Sequence, residues 1–411
     1  MRDRELYAQI LGIREPWEVQ DVALRLKDGE IHVVVGRIRN ASLTCPTCGR
    51  ECSGYDTRER RWRHLDTCQY QTILIANVPR VECKEHGVVQ VRVPWSEPGS
   101  RFTALFEALV IDWLHETSFS AVARQQRLTW DEVDGIQGRA VARGLERRKV
   151  SPPQRIGVDE TSYQKRHEYV TLVADLDRQV VLYVADDRKE TSLDGFYAGL
   201  GAEACAGIEV VCMDMWKPYI NSTWRHVPGA DRKIAFDKFH VAKHLGEAVD
   251  RVRRGEQKVL RAEGKDILTG TKYWWLKNPE NINDELWEAF EPLRLSTLKT
   301  ARAWAIKEMA MTLWSYVSRG WAMRAWKRWL SWALRSRLQP VREVAYLIQK
   351  HLWGIVNAIV HRVTNAKTEG MNSKIQKIKR MACGFRNRER FRNAIYFHLG
   401  GLDLYPQALR N

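Results

Sequence analysis

The spacing of apolar residues changes three times along the chain, and each change predicts a different kind of structure. After a short helical segment, apolar and polar residues alternate over 19–26 and 31–38, on either side of Asp28-Gly29. That pattern predicts a β-hairpin closed by a tight turn. Over 102–114 the period becomes helical, with Phe102, Leu105, Phe106, Leu109, Val110, Trp113 and Leu114 on one side. A second short helix is predicted over 120–126, and Thr129 with Glu132 forms a capping box that opens a third. After Pro152-Pro153 the period returns to that of strands, over 156–160, 169–176 and 180–184, an antiparallel meander. A helix over 192–206 then leads to a buried strand, 208–213, that ends in Asp214. A helix around Tyr219 precedes a further strand, 233–236, ending in Asp237. From His240 to about residue 360 the chain reads as helical, including an apolar stripe of Val344, Leu347, Ile348, Leu352, Ile355 and Ile359. A last helix is predicted from Asn365 to about Ala382.

The middle of this order, βββαβαβ with carboxylates ending the first and fourth strands, is that of a ribonuclease-H-like core. In that arrangement strands one and four are neighbours, so Asp159 and Asp214 can face each other across one crevice. Asp159 alone reads first as a solvated strand end and second as a metal ligand, and Asp214 as a neighbour reverses that order. Alternation turns Glu160 to the opposite face. Glu369 lies in the first turns of the last helix among Lys374, Lys377, Lys379 and Arg380, as a simple ion-pair partner or a third ligand beside a phosphate track. The predicted fold class is multidomain α+β. A hairpin and zinc-binding β module (1–100) is followed by a helix-turn-helix (101–150). A ribonuclease-H-like α/β catalytic core (151–240) is then interrupted by an all-α insertion (241–360), and the last catalytic helix and C-terminal helices (361–411) complete the chain.

Composition sharpens these expectations. A chain of 411 residues is too long for one ordinary core, and a net charge of +16 points to an anionic partner, most simply double-stranded DNA. No apolar leader or bilayer-length apolar run is evident, so a cytoplasmic location is expected, with cysteines reduced. Five of the eight cysteines fall between Cys45 and Cys83. Cys45-Pro-Thr-Cys48-Gly and Cys83-Lys-Glu-His86-Gly are two ligand pairs of matching spacing, the pattern of a closed structural zinc site, with Cys52 and Cys68 as competing ligands. Arg139, Arg143 and Arg147, with Arg148 and Lys149, give the third helix of the helix-turn-helix a basic end suited to a phosphate backbone. Ten of the seventeen tryptophans lie within 241–360. Most are expected to pack a core, with one or two exposed rings contacting DNA.

Taken in order, LGIREPWEV, CPTCG…CKEHG, IGVDE, VCMDMWKPY, AFDKFHVAKHL and NAKTEGMNSKIQKIKR resemble the bacterial insertion-sequence transposases of the DDE type, specifically the ISL-three family. The resemblance runs from about residue 10 to residue 400, departing only in closing the zinc finger with His86 rather than cysteine. It implies that Asp159, Asp214 and Glu369 are a catalytic triad holding Mg2+ or Mn2+. It further implies that Lys374, Lys377 and Arg380 bind DNA, that Asp237 and His240 either support the site or take part in catalysis, and that two copies join two DNA ends as a homodimer in a nucleoid-associated complex. Two rival readings share these residues. One is a DNA-binding regulator with a dead core, and the other is a ribonuclease-H-like nuclease or resolvase without strand transfer.

Overall fold

The computed structural model describes residues 3–38, 41–149, 151–164, 168–363 and 366–407, with only the backbone for Gln164 and 366–369. Within it the chain forms two compact units, 1–149 with 381–411 and 150–380. Residues 361–380 fall in the second unit and 381–411 in the first.

The first unit begins with α1 (Asp3–Ile10) and a five-stranded sheet: β1 (Trp17–Arg25), β2 (Glu30–Arg37), β3 (Ser53–Thr67), β4 (Tyr70–Cys83) and β5 (Gly87–Gln90). The strand order is β1-β2-β4-β3, with β5 also on β4. The predicted hairpin is β1 with β2, antiparallel, while β2 and β4 run parallel. Alternation along β2 buries Ile31, Val33 and Val35 on one face against Trp17, Trp62, Leu74 and Trp95. Trp95 sets its ring edge-on against Trp17 and Trp62, at 5.0 and 5.4 Å.

Three helices follow: α2 (Ala104–Glu116), α3 (Phe119–Gln126) and α4 (Trp130–Arg147). Each begins at a hydroxyl that accepts from a backbone amide of its first turn: Thr103 from Phe106, Ser118 from Ala121, and Thr129 from Glu132. The capping box predicted from Thr129 and Glu132 is present in both directions.

The second unit is built on a sheet of β6 (Arg155–Gln164), β7 (Glu168–Asp175), β8 (Val180–Ala185), β9 (Val210–Met213) and β10 (Ile234–Phe236). Its order is β10-β9-β6-β7-β8. The meander is antiparallel, whereas β9 and β10 run parallel to β6. All four residues of β9 are buried, as in a central parallel strand covered on both faces. The helix expected over 192–206 is broken into α5 (Glu190–Leu200) and α6 (Ala202–Ala206) by Gly201, whose φ of 87° lies outside helical backbone. Next come α7 (Lys217–His226) and α8 (Ala230–Lys233), before β10.

Beyond β10 the unit is helical: α9 (Lys238–Ala262), α10 (Lys272–Leu276), α11 (Asp284–Arg294), α12 (Lys299–Thr312), α13 (Arg319–Arg335), α14 (Gln339–His361) and α15 (Ala366–Met381). Phe290 is ringed by Trp275, Trp304 and Trp287 at 4.7, 5.4 and 6.0 Å, so these tryptophans pack the helical core as expected. The helical block is fastened to the sheet by α14. Buried Asn357 donates to Asp231 O and Ile234 O at 2.8 and 2.7 Å, and Gly354 lets the Phe236 ring approach so closely that a Cβ would lie 2.4 Å from it. The last helix, α16 (Arg388–Leu399), belongs to the first unit.

Candidate functional site

Asp159 sits within β6, and the parallel pairing of β6 with β9 aligns Gly157 with Cys212. Asp159 lies two residues beyond Gly157 within β6, and Asp214 two residues beyond Cys212, immediately after the end of β9. Asp159 Oδ1 accepts from the amide of Glu160 at 2.7 Å, and its Oδ2 accepts from Asn372 Nδ2 at 2.6 Å. Burial pushes the Asp159 carboxyl up to about 6, opposed by the Glu160 amide, by His240 and by Asn372. Asp214 Oδ1 accepts from the amide of Met215 at 2.6 Å. His240 lies between two of the acids, with Nδ1 3.6 Å from Asp214 and Nε2 4.0 Å from Asp237. Asp237 is itself buried at the N-terminus of α9.

Helix α15 lies along β6. Asn372 donates to Asp159, Gln376 donates to Thr161 Oγ1 at 3.2 Å, and Lys379 donates to Ser162 O at 2.6 Å. Spacings of four and three residues put all three on one helical row. Met371, Ile375 and Ile378 are buried beside it, and Lys374, Lys377 and Arg380 are exposed. Glu369 belongs to the first turn of α15, one turn before Asn372, and its side chain lies outside the described residues. Asn372 Oδ1 is buried with no hydrogen-bond partner among the described residues. The Asp159 and Asp214 carboxylates and the Asn372 amide offer oxygen donors, the type a hard divalent cation takes.

Two polar residues here went unread in the sequence. Asn372 carries the signal of standing three residues after Glu369 on a predicted helix. Arg188 carries none. Its guanidinium is held between the rings of Tyr169 and Trp216, at 4.6 and 5.0 Å, and Nη1 reaches Glu160 at 3.4 Å. Glu160 thus has a partner of its own.

In the first unit, one ligand atom from each of Cys45, Cys48, Cys83 and His86 falls within 4.8 Å of the others. The amides of Glu85 and His86 pull the Cys83 thiol down to about 7, toward the thiolate that binds zinc. Three thiols and an imidazole at this separation fit a closed tetrahedral zinc site, and such an ion would supply structural clamping. Of the competing ligands, Cys52 turns its Sγ to Arg50 O at 3.4 Å and Cys68 is exposed in the β3–β4 turn, so neither joins the group.

The arginines of α4, expected at a phosphate-facing end, make contacts within the unit. Arg143 is buried, paired with Glu97, and donates to Leu404 O at 2.7 and 3.0 Å. Arg139 pairs with buried Glu107 at 2.6 Å, and Arg147 donates to Tyr405 O at 2.6 Å. Helix α16 covers the other end of α4, where Arg390 reaches Asp134 at 3.0 Å and lies 4.3 Å over the Trp130 ring. Of these arginines Arg143 is buried, and Arg139, Arg147 and Arg390 are half-buried.

Three family models match this chain. A zinc-finger of the transposases IS204/IS1001/IS1096/IS1165 matches residues 42–86, and the helix-turn-helix domain of transposase family ISL3 matches residues 91–141. The ISL3 transposase model matches residues 156–395. The transposase for insertion sequence element IS1557 of Mycobacterium tuberculosis is 30% identical over 418 residues, covering 94% of this chain and 93% of its own length. The transposase for insertion sequence element IS1001 of Bordetella parapertussis is 28% identical over 361 residues, covering 85% and 87%. With the finger, the helix-turn-helix and the greater part of the remaining chain all matched, this protein belongs to the ISL3 (ISL-three) family of DNA transposases.

Proposed function

We propose that this transposase is a DDE enzyme whose Asp159, Asp214 and Glu369 cleave the ends of its own insertion sequence and join them to target DNA. The observation that carries the reading is the docking of α15 on β6, with Asn372 bonded to Asp159. Glu369 stands one turn earlier in the same row, so the helix that brings Asn372 to the first acid brings the third acid's backbone with it. The strand order, with two parallel strands added beside the first strand of a meander, supports a ribonuclease-H-like core over 151–240 and 361–380, with 241–360 as its helical insertion.

Mg2+ or Mn2+ at these acids would supply charge neutralisation and a nucleophile at neutral pH. Asp159 and Asp214 bind and orient from the sheet, and Asn372 fixes the Asp159 carboxylate through its Nδ2. His240 flanks Asp214 and Asp237 and supports the site from α9. Exposed Lys374, Lys377 and Arg380 bind backbone phosphates beside the acids. In the first step, water attacks the phosphodiester at the element's end and the 3′-oxygen leaves as a hydroxyl. In the second, that hydroxyl attacks a target phosphodiester and displaces its 3′-oxygen, so one bond forms for each bond broken. No covalent link between protein and DNA is needed.

The zinc site holds the finger that helps bind the terminal repeats, and two copies pair the two ends as a homodimer. A paired-end donor DNA incubated with protein, target plasmid and Mg2+ tests the reading by sequencing the products. Donor 3′-ends joined to target are expected. Cleaved but never joined ends would favour a nuclease, and intact DNA would favour a binding regulator.

A further inference from the structure

Helix α13 has two unlike sides. One buries Trp326, Trp329 and Ala333 in the helical core, where Trp329 Nε1 donates to Ile306 O at 2.8 Å. The other carries Trp321, Arg324, Arg328, Trp332 and Arg335, all exposed, at spacings that keep them on one stripe. From Trp321 to Arg335 the stripe spans about 21 Å at the rise of an α-helix. The whole helix holds five cations (Arg319, Arg324, Lys327, Arg328 and Arg335) and no carboxylate. Of these, Arg319 donates to buried Asn357 Oδ1 and is engaged within the unit. Arg324, Lys327, Arg328 and Arg335 form no ion pair among the described residues, in contrast to the α4 arginines. Arg324 instead lies 5.1 Å over the ring of Trp321, which is 61% exposed.

We propose that this face of α13 docks on the backbone of duplex DNA, with Arg324, Arg328 and Arg335 on phosphates and the Trp321 and Trp332 rings against the sugar edge. This rests on the reading that the chain acts on DNA, and not on the assignment of the three acids. Charge selects the partner. An uncompensated cationic stripe fits a polyanion. A second copy of this chain, meeting the stripe about a two-fold axis, would set like charges against like. Arginine over an exposed tryptophan also gives a planar cation held in place before contact, a geometry suited to phosphate. The α4 arginines are engaged within the first unit, so the helical block of the second supplies cations that they do not.

The test is binding of the full-length protein to a random-sequence duplex several helical turns long, across a salt series. Wild type is compared with the Arg324→Gln/Arg328→Gln/Arg335→Gln variant. The log–log slope of affinity against salt should become shallower by about 2–3 for three lost phosphate contacts, and the corresponding Arg→Lys variant should restore most of it. Trp321→Ala should weaken binding severalfold with an unchanged slope, because no charge is lost. Should the triple variant fail to fold, as judged by circular dichroism, Arg328→Gln alone should lower the slope by about 1. Equal slopes for wild type and variants overturn the proposal. So does a loss of self-association with DNA binding intact, which would make the face an interface between copies. Because binding is read and not cleavage, a failed acid triad would leave these outcomes unchanged.

Discussion

Asp159 holds its charge against burial because neighbours donate to it. Only the carboxylate form can bind a cation, so activity should rise with pH through the range in which Asp159 ionises. Asn372 favours the charged form, and its removal should move that acid limb to higher pH. Asn372→Ala should also lower turnover by about ten- to a hundredfold, from the ~1.5–3 kcal/mol of a hydrogen bond to a charged group. A pH–rate profile that keeps its acid limb in the Asn372→Ala protein would remove Asn372 from any role in positioning the acid. His64 gives a prediction of the opposite kind, about stability. It is buried with Nδ1 2.8 Å from Thr103 Oγ1, and burial holds its pKa down at about 4. The unfolded chain takes up the proton near pH 6.5 and the native one resists it until about pH 4. Stability from this group is therefore fully present above pH 6.5 and falls with pH through that window, by up to about 3 kcal/mol. Urea melts of wild type and His64→Gln at several pH values check it, and parallel curves would refute it.

Among the elements, the strands that carry acids were legible in the sequence because their chemistry is local. Strands β6, which holds Asp159, and β9, which ends just before Asp214, each follow a recognisable strand pattern, and they pair in parallel. The zinc knuckles were legible for the same reason, since spacing within two short segments decides which atoms converge. What could not be read depends on contacts between distant segments. The charge of Arg143 and Arg147 pointed outward in sequence, yet Leu404 and Tyr405, more than 250 positions away, accept their hydrogen bonds. Arg188 sits between rings contributed by two separate parts of the chain, and no periodicity announces that. The break at Gly201 is a backbone matter that an uninterrupted helical pattern hid. Two element-level tests follow. Cys45→Ser should cost the protein its zinc, measured by elemental analysis, while the second unit keeps its fold; retained zinc would reject the site. Gly354→Ala should destabilise the second unit by about 1–3 kcal/mol, because the new methyl meets the Phe236 ring. An unchanged melting curve would show that α14 and β10 can separate freely.

For the whole molecule, the chain's charge is unevenly used. In the first unit, Arg143 and Arg147 of α4 hold the returning C-terminal segment through Leu404 O and Tyr405 O, and Cys45, Cys48, Cys83 and His86 gather as a set that could hold zinc. In the second, Arg324, Lys327, Arg328 and Arg335 of α13 and Lys374, Lys377 and Arg380 of α15 are exposed. Exposed cations of this kind suit a polyanion such as DNA. The central claim is that Asp159, Asp214 and Glu369 act as one centre. The direct measurement is single-turnover cleavage of a labelled element end in Mg2+ by wild type, Asp159→Asn, Asp214→Asn and Glu369→Gln, with binding of the same DNA measured in parallel. Each substitution alone should abolish cleavage while leaving binding within a few-fold of wild type. Wild-type cleavage by any one of the three variants would contradict the account.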